Sequence, residues 1–344
     1  MQASQWNHLP TLRLGHAGTA VAELTALIRQ SGLLPDLVIE DEARFDRQLE
    51  GAIKSLQKNF GLKPDGIAGA QLYANLEATL AAKRAAVEAF AIRLEYLAHE
   101  ARLEGRKKMV VINVPSFTLR AIDLETGRTI IESPVIVGRK DRQTPIGRLN
   151  IVSLTANPEW KPPPVVLKND ILPRLGKASK WWEKSSLTGV GPNGNTKPGN
   201  EVTAAEIAAG WQFVQASGTT NALGLIKFET DSPDAIYLHD TNDRLMFSSA
   251  NRTHSSGCVR VKEWQSLAAF IAESSAEKVR ELIDKKMTRR ERIPEKVPVY
   301  IEYFQGDVVD GKAVYFPDIY ARNRPTETAR TSPRLPNTPR GMGG

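Results

Sequence analysis

The spacing of apolar residues changes period near residue 108, so the chain reads as a helical part followed by a β-rich part. Upstream, Val21, Leu24, Leu27 and Ile28 fall on one helical face. Phe45, Leu49, Ile53, Leu56 and Phe60 then keep steps of three or four as far as Gly61, where a helix is expected to stop. Leu62-Lys63-Pro64-Asp65-Gly66-Ile67-Ala68-Gly69 has turn composition, and a short helix is expected from about Ala70 to Leu76. Residues 12–78 are thus predicted to be a small all-α domain. A linker helix is predicted over residues 80–105, with Val87, Phe90, Leu94 and Leu97 as a stripe that packs between domains.

From Lys108 the alternation becomes that of strands: Met109–Val114, Leu119–Leu124 and Thr129–Val137, with Glu125-Thr126-Gly127-Arg128 as a hairpin turn. More strands are expected at Arg148–Leu154, Leu223–Glu229 and Ala235–His239. Val297–Phe304 and Ala313–Phe316 would close the sheet around Asp310-Gly311. A helix is expected over Val261–Ala276. Residues 161–222 break the pattern, because Lys161-Pro162-Pro163-Pro164 cannot lie inside a sheet and Gly191-Pro192-Asn193-Gly194 is loop composition. That stretch reads as an insertion over a site, in which Trp181, Trp182 and Trp211 either stack on a ligand or pin the insertion down. The expected class is α+β. A chain of 344 residues supports more than one core, since single cores rarely exceed about 250 residues. Residues 323–344, rich in Pro, Arg, Thr and Gly, are expected to be a disordered tail.

The chemistry is concentrated in His254-Ser255-Ser256-Gly257-Cys258-Val259-Arg260, which holds the chain's one cysteine. A lone thiol can neither close an intramolecular disulfide nor build a thiolate zinc cluster, and no metal site or cofactor is expected. Buried free cysteines commonly act as small hydrophobes, but serines and a glycine are poor core neighbours. They expose backbone N–H groups instead, and those of Ser256, Gly257 and Cys258 are candidates for an oxyanion hole. A helix starting close behind Cys258 would favour the thiolate through its dipole.

An unperturbed thiol is mostly protonated at neutral pH, so a nucleophile needs a base. His239 ends the apolar run Ala235-Ile236-Tyr237-Leu238, where strands open into loops and catalytic groups are displayed. His254 is the alternative base, and otherwise a candidate substrate contact. Arg260 either grips a substrate carboxylate or forms a structural ion pair. Tyr237 and Trp160 are expected to shape the wall of the groove.

Basic residues number 46 against 39 acidic, giving +7, which suits nucleic acid, an anionic membrane surface or an acidic polymer equally. No nucleic-acid-binding signature accompanies that charge, so nucleic acid is not an expected partner. No apolar run approaches the roughly 20 residues of a membrane span, and Met1-Gln2-Ala3-Ser4-Gln5-Trp6 lacks the layout of an export signal.

His239, a spacer and Ser255-Ser256-Gly257-Cys258-Val259-Arg260 together resemble the signature of the L,D-transpeptidases with a YkuD-type catalytic domain, in the large Gram-negative branch. The commoner family pattern places a histidine where this chain has Ser256. Val110-Val111-Ile112-Asn113-Val114-Pro115, Thr144-Pro145-Ile146-Gly147, Asn157-Pro158-Glu159-Trp160 and Pro317-Asp318-Ile319-Tyr320 resemble segments of that branch too, so the likeness covers most of residues 106–322. It implies a mixed-sheet catalytic domain over 106–322, with 161–222 as a capping insertion. It also implies a histidine oriented by the backbone carbonyl of Asp240. The implied activity is formation of 3→3 peptidoglycan crosslinks through a cysteine thioester, with tetrapeptide stems as donors and a side amine of another stem as acceptor. Carbapenem β-lactams are the implied inhibitors and the periplasm the implied location. An L,D-carboxypeptidase or hydrolase using the same Cys/His site, and a non-catalytic wall-binding scaffold, are the rival readings. Residues 12–78 resemble a type 1 peptidoglycan-binding domain, which implies peripheral contact with the cell wall or a spacer role.

Overall fold

The computed structural model describes residues 8–34, 36–177, 179–309 and 311–322. The expected tail and Asp310 lie outside the described residues. The chain divides into two units, one of residues up to Lys107 together with Tyr303–Phe316, the other of Lys108–Glu302 together with the residues from Pro317 onward.

In the first unit the apolar stripes become helices α1 (Thr19–Ser31) and α2 (Arg47–Asn59). Val21, Leu24, Leu27, Ile28, Phe45, Leu49, Ile53 and Leu56 all meet in one core. Asp46 caps α2 by accepting from the Leu49 N–H at 2.8 Å, which supplies a partner for one of the otherwise unpaired first-turn donors. The Pro-Asp-Gly turn is held by Gln57, whose amide donates to Asp65 and the Ile67 carbonyl and accepts from the Gly66 N–H.

The short helix and the linker helix are a single element, α3 (Ala70–Leu103). Residues 77–82, Glu-Ala-Thr-Leu-Ala-Ala, hold neither glycine nor proline, so nothing interrupts the i to i−4 ladder. Its Phe90 is buried and meets Phe304 at 5.2 Å between ring centroids. Of the two strands expected to close the sheet, residues 297–302 do lie in it, whereas residues 313–315 fall in a separate hairpin of Gly306–Val309 with Lys312–Tyr315 beside α3. A side chain at Gly306 would collide with the α3 backbone, 2.3 Å from the Ala86 carbonyl carbon, so only glycine permits that approach.

In the second unit β1 (Lys108–Asn113), β2 (Thr118–Asp123), β3 (Thr129–Gly138) and β4 (Gly147–Ala156) form where alternation predicts them. Between β4 and the next strand of the large sheet lies the insertion. It comprises a run of helical turns over 164–174, α4 (Lys180–Ser185), and the strands β5 (Thr188–Val190) and β6 (Thr196–Pro198). Helix α5 (Ala204–Ala208) and strand β7 (Gln212–Val214) complete it. Strands β5, β6 and β7 make a separate small sheet over Ile171, Trp182, Leu187, Val202 and Phe213. Then come β8 (Ile226–Thr230), β9 (Leu238–His239), β10 (Thr253–Ser255), β11 (Val259–Val261), helices α6 (Trp264–Ala272) and α7 (Ala276–Asp284), and β12 (Arg289–Glu302).

The large sheet runs β10-β3-β11-β9-β8-β4-β12-β1-β2, and β2 also pairs with β3, so the row returns on itself. Three of its pairings are parallel, β1 with β12, β10 with β3 and β11 with β9, and the rest antiparallel, which makes the sheet mixed and the fold α+β. Strand β12 starts eight residues before the predicted strand. Its register slips between Arg292 and Val297, around Pro294, a residue with no N–H for the ladder. Among the described residues no helix is long and apolar enough to cross a membrane.

Candidate active site

Register on two short parallel strands assembles the site. On β9 and β11, Leu238 faces Val259 and His239 faces Arg260. Side chains alternate along a strand, so Leu238, Val259 and Val261 point into the core, all with 0% exposure. Tyr237, His239, Cys258 and Arg260 consequently share the opposite face. All four line a cavity of about 360 Å³. Strand β9 is shorter than its apolar run predicts because Ala235 adopts a positive φ of 53°.

Burial controls the charge state of this quartet. His239 is 5% exposed, and desolvation together with the Arg260 charge pushes its pKa down to about 3, against an opposing pull from the carbonyls of Asp240 and Leu223. The Cys258 thiol is pushed up by burial, although contact with Tyr237 works the other way. At neutral pH the two are an imidazole and a thiol, not an ion pair. Nδ1 of His239 lies 2.5 Å from the Asp240 carbonyl oxygen. A carbonyl only accepts, so Nδ1 carries the proton and Nε2 is the basic nitrogen.

Tyr237 lies beside both the Cys258 thiol and the Trp160 indole, and burial raises its own pKa. Tyr237 therefore bears on the sulfur itself as well as lining the wall, and Trp160 acts on it from behind. Arg260 is pressed into the cavity floor with its Nε unsatisfied, and its Nη1 reaches only Thr241 Oγ1 at 3.4 Å and the Met246 sulfur at 3.6 Å. Among the described residues no carboxylate pairs with it. Of the two roles expected from sequence, the structural ion pair is absent there. His254 stands exposed on β10, its Nε2 held by the Asn251 carbonyl at 2.9 Å, at the rim of the cavity.

The thiol loop is stitched from within and from outside. Gly257 has φ 121°, a conformation open to glycine, and its N–H donates to Ser255 Oγ at 3.1 Å. That corrects the expected oxyanion donors: the Gly257 N–H is committed, whereas those of Ser256 and Cys258 find no acceptor among the described residues. The helix dipole is corrected too, because β11 intervenes and α6 begins only at Trp264.

Thr144 Oγ1 donates to the Gly257 carbonyl at 2.9 Å and accepts from the Gly138 N–H at 2.8 Å. Tyr320 donates to the Gly138 carbonyl at 2.7 Å. Neither Thr144 nor Tyr320 has a role that composition or spacing reveals, although both fall in segments that resemble the family. Asp240 Oδ2 accepts from the Leu225 N–H at 3.0 Å and packs on Gly224, which has φ 62°, so the loop before β8 is pinned to the end of β9.

Trp160 and, in the insertion, Pro163, Val166, Asp170, Arg174 and Trp181 form the facing wall of the cavity. Trp182 is buried against Phe213 at 5.9 Å in the insertion's own core, Trp211 packs on that core, and Trp181 both packs on it, 5.0 Å from Trp182, and lines the cavity. Among the described residues no three His, Cys, Asp or Glu side chains converge on a metal-holding position.

Residues 107–301 match the model of the YkuD family, described as the L,D-transpeptidase catalytic domain, and residues 17–76 match one described as "Putative peptidoglycan binding domain". A Haemophilus influenzae protein named "Putative L,D-transpeptidase" is 30% identical over 219 residues, 62% of this chain and 44% of that protein, so the chain spans less than half of that relative's length. Among solved structures, an L,D-transpeptidase fragment from Xylanimonas cellulosilytica matches at 16% identity and TM-score 0.24, over 84% of this chain and 96% of its own. L,D-transpeptidase 3 of Mycobacterium tuberculosis, solved with a faropenem-derived adduct, matches at 10% identity and TM-score 0.26, over 57% and 60%.

Proposed function

We propose, from the premise that this chain belongs to the YkuD family of L,D-transpeptidases, that it joins peptidoglycan stems through a thioester on Cys258 and makes 3→3 crosslinks. The observation that carries this reading is the placement of Cys258, His239, Tyr237 and Arg260 on one face of two paired strands. Sγ attacks the amide carbonyl of a tetrapeptide stem as Nε2 of His239 takes its proton. Because both groups are neutral at rest, proton transfer accompanies the attack. The oxyanion is met by the N–H groups of Ser256 and Cys258, each worth about 3 kcal/mol in comparable sites. His239 returns the proton to the departing D-alanine amine, leaving the thioester. It then takes a proton from the acceptor amine as that amine attacks, and the thiol is restored. The unpaired guanidinium of Arg260 suits a substrate carboxylate.

Residues 12–78 serve as the wall-contact module, 108–302 carry the catalysis, and 161–222 cap the groove; Tyr303–Phe316, expected within the catalytic domain, belongs to the first unit. The same acyl transfer lets a carbapenem acylate Cys258. The substrate is a cell-wall polymer, which assigns the protein to the periplasm. Purified protein given tetrapeptide muropeptides is expected to yield 3→3 dimers and free D-alanine. Trimmed monomers alone would make it a carboxypeptidase. No change in the muropeptides, with cellular function kept in a Cys258→Ala variant and lost on deleting residues 1–80, would make it a scaffold.

A further inference from the structure

The cavity's two walls meet at one guanidinium. Arg142, in the loop between β3 and β4, donates from Nη1 to Asp170 Oδ2 at 2.6 Å and from Nη2 to Asp170 Oδ1 at 3.0 Å. The same Nη1 donates to Ser256 Oγ at 3.1 Å. Asp170 belongs to the helical turns of the insertion, and Ser256 stands two residues before the thiol. The Arg142 side chain is 10% exposed, so solvent screens this fork far less than it screens a surface pair.

The backbone beneath Arg142 is already fixed to the thiol loop without its side chain. The Arg139 N–H donates to the Ser255 carbonyl at 3.0 Å, and Thr144 holds Gly257. A side chain at Gly138 would sit 2.1 Å from the Arg142 carbonyl oxygen, so the loop folds tightly only with glycine there. What the guanidinium adds is a tie to the insertion. Beyond Asp170 the tie continues, since Arg174 donates to the Asp170 carbonyl and stacks on Trp181, 4.8 Å from its ring centroid. The Asp170 carboxyl is held below the usual carboxylate range, chiefly by its hydrogen bonds from Arg142.

We propose that Arg142 is a positioning residue: its planar fork seats the insertion over the cavity through Asp170 and, with the remaining N–H, sets the place of Ser256 beside the nucleophile. The seat of the insertion and the place of the Ser256 side chain are thereby coupled through one guanidinium, beside a thiol-loop backbone that is held separately. This rests on Cys258 being the nucleophile, so two of the measurements below need no turnover.

Three variants test it: Asp170→Asn, Arg142→Met and Arg142→Lys. Asp170→Asn keeps the shape, removes the charge and leaves the Ser256 contact. It is expected to raise KM for a tetrapeptide stem about tenfold with kcat within threefold, and to speed amide exchange over 164–174 about tenfold. Arg142→Met is expected to lose both functions, with KM raised and kcat lowered about tenfold each, and faster exchange over 164–174 and 254–258. Iodoacetamide should also alkylate Cys258 at a changed rate in that variant. Arg142→Lys keeps charge without the fork and should recover less than half of the loss. The Arg142→Met, Asp170→Asn double variant should exchange over 164–174 like Arg142→Met alone. Wild-type exchange in both segments of the single variants, additive effects in the double variant, or full rescue by lysine would each overturn the proposal. Failure of crosslinking in wild-type protein with the exchange pattern as expected would instead remove the function and leave the tie standing.

Discussion

The floor and the facing wall of the cavity are built in different ways. The floor is strand register: Tyr237, His239, Cys258 and Arg260 are placed by two paired strands whose other faces, Leu238, Val259 and Val261, are sealed in the core. The wall is irregular chain, given shape by polar ties such as Arg142 with Asp170 and by a small core of its own around Trp182. Register is all-or-none, because a slip of one residue turns every side chain to the other face, whereas a polar tie weakens by degrees. Rigid placement thus goes to the groups proposed to exchange protons, and adjustable placement to the surface proposed to receive the substrate.

Substitutions should separate the two. The largest effect is expected for His239→Gln, a loss of about a hundredfold or more in kcat, since the general base and acid is removed without a cavity. The same variant tests the charge state. The folded-state pKa of His239 is depressed to about 3, below an unfolded value near 6.5. The imidazole is neutral in both states above that window. Between pH 6.5 and 3 the unfolded chain takes up a proton that the folded chain refuses, so stability falls as pH drops, by about 1.4 kcal/mol per pH unit from this group. Denaturant midpoints against pH should show that slope in wild-type protein and a shallower one in His239→Gln.

Tyr237→Phe should cost about tenfold in kcat, as expected if its hydroxyl acts on the sulfur, and should move the midpoint of Cys258 alkylation to still higher pH. An unmoved midpoint would detach the tyrosine from the thiol. On the wall, Trp181→Ala is expected to raise KM by no more than about tenfold and to leave kcat alone. A kcat loss there as large as that of Tyr237→Phe would erase the distinction between floor and wall.

The same division decides what could be read from the amino-acid order. The polar loop around one thiol marks the segment that shares a cavity with His239, and strands β1 to β4 and the cores of α1 and α2 follow from periodicity. Arg142, Thr144, Asp170 and Tyr320 do not, because each acts on a partner distant in sequence, 114 residues away for Arg142 and Ser256. No local pattern encodes such a pairing. The Gly257 N–H was assigned to an oxyanion from composition alone, and only the loop's conformation shows that Ser255 occupies it. The hairpin after β12 was misplaced for a related reason: alternation marks a strand but not which core receives it, and here the permitting residue is Gly306 against α3.

The direct test of the account is where an acyl group goes. Wild-type protein incubated with a tetrapeptide stem or a carbapenem, quenched in acid and digested, is expected to carry the adduct on the peptide containing Cys258, with none in Cys258→Ala and slower formation in His239→Gln. An adduct on another residue, or an unmodified Cys258 in folded protein that still turns over substrate, would contradict it.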